Sequence, residues 1–135
     1  MKMEMTIYDA LLATEVSEEI ATAILDALDI KKSSVLAFEP GRMLVTRGVR
    51  KLEKEVQLNT LPYLMRHWVC DWGELEEEDK LANFQALRNG TRLFSTYRID
   101  AGDETKLCIC TAADRSYTLL LLPIEYGIVF PAKPD

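Results

Sequence analysis

The residues best equipped for chemistry are one histidine, three cysteines and the carboxylates and hydroxyls of a few short polar motifs. His67 lies three positions before Cys70, and Cys108 lies two before Cys110. Spacing of three on a helix and two on a strand puts each pair on one face, which offers nitrogen and sulfur donors to a tetrahedral zinc ion. Free cysteine is also a common core residue, and that reading of Cys70, Cys108 and Cys110 outweighs the metal one. Any acid–base chemistry near neutral pH would lean on His67, with Asp71 to orient it and Ser95 or Ser116 as nucleophile. A small hydrolase or metal-dependent enzyme would therefore centre on His67, Asp71 and the turn Asp114-Arg115-Ser116. The competing reading makes all of these local structure. His67 then ends a helix, Asp71-Trp72-Gly73 turns a corner with Trp72 in the core, and Asp114-Arg115-Ser116 closes a hairpin. That reading prevails, with no cofactor and no metal expected.

Two charge runs bear on partners. Glu74, Glu76, Glu77, Glu78 and Asp79 overlap the start of a helix, where its dipole stabilises acids. The same block could present a DNA-like surface to a nucleic-acid-binding protein. Arg42, Arg47, Arg50, Lys51 and Lys54 form a basic run without interleaved aromatics, which reads as a solvated helix face. A net charge of −6 disfavours unassisted binding to nucleic acid or anionic membrane. If the chain is a binding module, Trp72, Glu77, Asp79, Asp114 and Arg115 are the residues that would meet a protein partner.

The elements that must position these residues follow from caps and periodicity. Thr6 and Ser17 open two helices within residues 6–30, the second with Ile20, Ile24, Ala27 and Leu28 as its apolar stripe. Residues 31–34 are polar and read as a linker. Short strands are expected at Val35–Phe38 and Arg42–Thr46 around the turn Glu39-Pro40-Gly41. Thr46 then caps a helix with Val49, Leu52 and Val56 on one face. Thr60 caps another with Leu61, Leu64, Met65 and Trp68, and Pro62 sits in its first turn. A helix from Glu77 to Arg88 should bury Leu81, Phe84 and Leu87 and stop at Asn89-Gly90. Beyond Gly90 the period changes to two, and three runs (92–99, 105–112 and 116–122) with short connections predict an antiparallel meander. The run Leu119–Leu122 is apolar on both faces and belongs mid-sheet. Residues 127–131 could add an edge strand.

The expected fold class is α+β: helices packed on a small antiparallel sheet, preceded by a helical extension. The expected division is an extension at 1–33, a core domain at 34–127 and a tail at 128–135. A length of 135 residues suits one domain, and 48% apolar residues suffice for a core. No apolar run is long enough for a membrane-spanning helix. Glu4 interrupts the stretch where a secretion signal would be apolar, and an odd cysteine count fits a reducing compartment, so a cytoplasmic location is expected.

One set of motifs runs from about Phe38 to Tyr126: Gly41-Arg42, His67 with Asp71-Trp72-Gly73, and Glu77-Glu78-Asp79-Lys80 with Asn83. It continues with Ser95 and Tyr97, Thr111–Ser116, and Leu121-Leu122-Pro123 followed by Glu125-Tyr126. In order and spacing this resembles a family of small bacterial proteins common on plasmids and other mobile elements. Such proteins are labelled "plasmid-related protein" or "type I restriction endonuclease subunit M". A methyltransferase subunit would need a much larger cofactor-binding domain with a Gly-rich loop, so the resemblance implies a mobile-element setting and no particular chemistry. The family usually has Glu where this chain has Ala112, Gly where it has Cys70, and bulky apolar residues at 108 and 110. The expected function is a non-enzymatic protein-interaction module, in anti-defence or plasmid maintenance. The enzyme centred on His67, Asp71 and Asp114–Ser116 is the alternative.

Overall fold

Hydroxyl side chains set where three helices begin in the computed structural model, which describes residues 4–130. Thr6 Oγ1 accepts the Asp9 N–H at 3.0 Å and opens α1, Ile7–Leu12. Ser17 Oγ accepts the Ile20 N–H at 3.2 Å and opens α2, Glu18–Ala27. Thr46 does the same for Val49 at 3.3 Å and opens α3, Arg47–Glu55. Each satisfies one amide that the helix leaves bare. Thr60 does not cap α4, Leu61–Trp68: its hydroxyl donates to Glu53 at 3.4 Å, while Asn59 Oδ1 accepts the Leu61 N–H at 3.2 Å. The acids Glu77, Glu78 and Asp79 begin α5, Glu77–Asn89, and Gly90 ends it in the left-handed region.

The fold is α+β, with six helices and a four-stranded sheet among the described residues. The expected meander is present as β2 (Leu93–Ala101), β3 (Glu104–Thr111) and β4 (Tyr117–Leu121). β1 (Arg42–Val45) runs parallel to β4, so the sheet is mixed, in the order β1-β4-β3-β2. The apolar run in β4 is thereby flanked on both sides, as its composition demands.

Three further expectations fail for identifiable reasons. Residues 35–38 form no strand beside β1. Val35 makes one antiparallel bridge to Thr6, with Ile7 N–H bonded to Ser34 C=O and Leu36 N–H to Met5 C=O. The nearest backbone was the entry to α1, not the next segment along the chain. The expected edge strand at 127–131 is replaced by a 3-10 turn, Pro123–Glu125, running into α6, Tyr126–Val129; Pro131 falls outside the described residues. The inward faces of two helices are also rotated. In α2 the buried residues are Ala21 and Leu25, while Ile20 and Leu28 are more than half exposed. In α5 they are Asn83 and Ala86, leaving Leu81 and Phe84 exposed, because the Asn83 amide must reach the sheet edge.

Alternation along the strands gives the sheet two chemically distinct faces. Leu93, Tyr97, Leu107, Ile109 and Leu120 pack with α4 residues Leu64, Met65 and Trp68 in the main core, to which α1 and α2 contribute Ile7, Ala10, Leu11, Ala21 and Leu25. Cys108, Cys110, Leu119 and Leu121 lie on the other face under Tyr126 and Phe130. No helix among the described residues is long and apolar enough to cross a membrane.

Candidate functional site

α4 carries His67 into the main core, where it is fully buried. Phe38 and Trp72 meet its ring edge-on, with centroids 5.4 and 5.6 Å away. Its Nδ1 bonds the Ser95 hydroxyl on β2, and its Nε2 lies 2.9 Å from Thr111 Oγ1 on β3. Thr111 Oγ1 is in turn 2.7 Å from Thr118 Oγ1 on β4, which donates to the Pro40 carbonyl at 2.7 Å. Four side chains from four elements thus form one buried chain of hydrogen bonds.

The far end of that chain sets its direction. A carbonyl only accepts, so Thr118 spends its single proton on Pro40 and must accept from Thr111. Thr111 then has only lone pairs to offer, so His67 Nε2 carries a proton and donates it. Nδ1 is left as an acceptor for the Ser95 hydroxyl. Histidine is therefore neutral, as the Nε2–H tautomer. Burial, helped by repulsion from Arg115, lowers its pKa from 6.5 to about 3, which enforces the same state.

The arrangement has the outline of a serine–histidine pair held by a third group, yet it lacks what nucleophilic catalysis needs. Ser95, His67 and Thr111 have no solvent-exposed surface, and a neutral hydroxyl stands where a carboxylate would stabilise the imidazolium. No hydrogen bond joins Asp71 to His67. Its carboxylate forms a two-point pair with Arg66, at 2.7 and 3.3 Å, and accepts the Gly73 N–H at 3.2 Å. The Arg66 hydrogen bond lowers the Asp71 pKa. The side chains of Asp114 and Ser116 bond only within their exposed turn, hydroxyl to carboxylate at 2.5 Å.

The remaining motif residues hold backbone together. Arg115 donates to Thr91 C=O at 2.6 Å, to Ala112 C=O at 3.1 Å and to Ala86 C=O at 3.0 Å, tying the β3–β4 turn to the end of α5. Asn83 accepts the Phe94 N–H at 3.1 Å and donates to the Phe94 C=O at 2.6 Å, as a neighbouring strand would. Tyr97 donates to Asp71 C=O at 2.7 Å. Gly73, at φ +76°, lies so close to β2 that a Cβ would stand 2.0 Å from Thr96 C=O. Trp72 is buried, whereas Glu77 and Asp79 are exposed at the start of α5.

The four donors considered for zinc are not brought together. Cys108 and Cys110 belong to the sheet face opposite His67, and both His67 ring nitrogens are engaged by hydroxyls. Burial raises all three thiol pKa values, that of Cys110 to about 11, which disfavours the thiolate that binds metal. Among the described residues no group of three or more His, Cys, Asp or Glu is placed to hold a metal ion. Sequence reasoning missed Thr118, Asn83 and Glu125 as organising residues. Glu125 accepts from Thr46 Oγ1 (2.5 Å), Gly48 N–H (3.0 Å) and Leu122 N–H (2.9 Å), joining the chain's end to the start of α3. The polar residue between Leu122 and Tyr126 was the available signal. The chain matches no known family model, no curated protein and no solved structure.

Proposed function

We propose that this protein is a non-enzymatic protein-interaction module of the cytoplasm, of the kind carried by plasmids and other mobile elements. The observation that carries the reading is the fate of its reactive side chains. His67, Ser95, Asp71, Asp114, Ser116 and Arg115 all bond groups of this same chain, and the one histidine is fully buried. The outward surface also carries apolar side chains: Leu81 and Phe84 on α5, and Ile124 and Ile128 further along, the last two 78% and 79% exposed. Apolar side chains in water beside charged ones suit contact with another protein. The mobile-element setting rests on the order and spacing of the motifs between Phe38 and Tyr126.

The test is affinity capture of the tagged chain, with cross-linking, from cells carrying its native gene. A specific partner retained through stringent washing is the expected result. Hydrolytic turnover that disappears in His67→Gln and Ser95→Ala variants, with no partner captured, would replace this reading by the enzymatic one.

A further inference from the structure

The two edges of the sheet are treated very differently. On β2 the outward backbone groups of Phe94 and Thr96 are occupied. Asn83 takes both groups of Phe94, Thr96 N–H bonds Trp72 C=O at 3.2 Å, and Glu74 N–H bonds Thr96 C=O at 2.7 Å. Over that stretch the edge cannot recruit another strand. On β1, Arg42 N–H bonds Ser116 C=O and Thr46 N–H bonds Leu120 C=O, both at 3.0 Å. The alternation of the ladder therefore turns residues 42, 44 and 46 toward β4 and points the peptide groups of Met43 and Val45 outward. Those two N–H and two C=O groups have no partner among the described residues.

This edge is recessed. Met43 and Val45 border a cleft of about 600 Å³ whose walls include Val16, Leu58, Leu61 and Leu64. A single extended segment fits such a space, and its alternate side chains would meet the apolar wall. Charge specifies the segment further. Arg42, Arg47 and Arg50 are exposed on and beside β1, and none forms an ion pair among the described residues. Of the acids lining the cleft, Glu53 accepts from Thr60, and Glu15 lies just past the end of α1. A second copy of this chain would bring the same arginines against themselves, which like-charge repulsion disfavours.

We propose that the β1 edge receives an extended, acidic peptide segment of a partner protein as an additional strand of the sheet. Main-chain hydrogen bonds to Met43 and Val45 would supply affinity, the cleft would take alternate apolar side chains, and the arginines would meet carboxylates. The proposal rests on the interaction-module reading and names its surface.

Random short peptides displayed on phage are panned against the full-length chain, and a selected peptide is synthesised. The expected selection alternates apolar residues with Asp or Glu. Its binding weakens roughly tenfold in Arg50→Glu, a substitution on an exposed helix surface that leaves the fold intact. It is lost in Met43→Pro, since proline removes an outward N–H yet is tolerated on edge strands. N-methylation of alternate peptide amides has the same effect, and Leu81→Ser with Phe84→Ser has none. The proposal is overturned if nothing is selected, if selected peptides bind Arg50→Glu undiminished, or if they lack acids. It is equally overturned if sedimentation shows a dimer that Arg50→Glu strengthens, which would make a second copy the occupant. A partner captured from native cells equally by wild type and Arg50→Glu rejects the β1 edge while sparing the module. No partner captured by either removes both.

Discussion

Protonating His67 in the folded protein would place a charge between two aromatic rings and two hydroxyls, with Arg115 repelling it. The folded pKa, about 3, lies below the ordinary 6.5, so the unfolded chain takes up the proton first as pH falls. The stability that neutral His67 contributes is complete above 6.5 and declines between 6.5 and about 3. From about pH 7.5 to about pH 5, the urea-unfolding free energy of wild type should drop by roughly 2 kcal/mol. His67→Gln, which keeps one donor and one acceptor but does not titrate, should abolish most of that slope. Equal slopes in the two proteins would show that His67 is not held neutral. Long-range ¹H–¹⁵N correlation at neutral pH should find the proton on Nε2, because the Thr111–Thr118–Pro40 chain leaves no other arrangement.

Helix ends decide much at the scale of the element. Four helices are followed by non-glycine residues in the left-handed region: Glu15, Asp29, Gln57 and Cys70. Cys70 closes α4 in a Schellman arrangement, with its N–H on His67 C=O at 3.1 Å and Asp71 N–H on Arg66 C=O at 2.8 Å. Glycine has no Cβ to strain at that position, so Cys70→Gly should stabilise by about 0.5–1 kcal/mol in urea melts. A loss of stability would mean that packing of the half-buried thiol outweighs backbone strain. The β2 edge poses the opposite problem. Removing the Asn83 amide leaves both backbone groups of Phe94 without partners, at a cost of roughly 2 kcal/mol. Asn83→Ala should also aggregate on warming, read by light scattering, because it uncovers a strand edge. A variant as stable and soluble as wild type would show that water replaces the amide without loss.

Across the whole molecule, α1 and α2 share one core with α4 and the sheet, through Ile7, Ala10, Leu11, Ala21 and Leu25. The backbone joins them too, at the bridge between Thr6 and Val35. Unfolding should therefore be a single transition, with tryptophan fluorescence and far-ultraviolet circular dichroism coinciding in urea. Trp68 and Trp72 report the core, and circular dichroism reports all six helices described. A helical signal lost before the fluorescence changes would mean that residues 1–33 open independently.

What the sequence determined by itself was whatever rests on neighbours along the chain. The caps at Thr6, Ser17 and Thr46, the stop at Gly90 and the three-strand meander are local, because hydroxyl-to-amide bonds and short turns need only nearby residues. Tertiary structure decided what depends on distant ones. It set which face of α2 and α5 turns inward, paired β1 with β4 across the whole of residues 46–116, and gave His67 the partners Ser95 and Thr111 in place of Asp71. A histidine's chemistry is set by the groups and solvent around it, and those groups came from strands whose register no local pattern specifies.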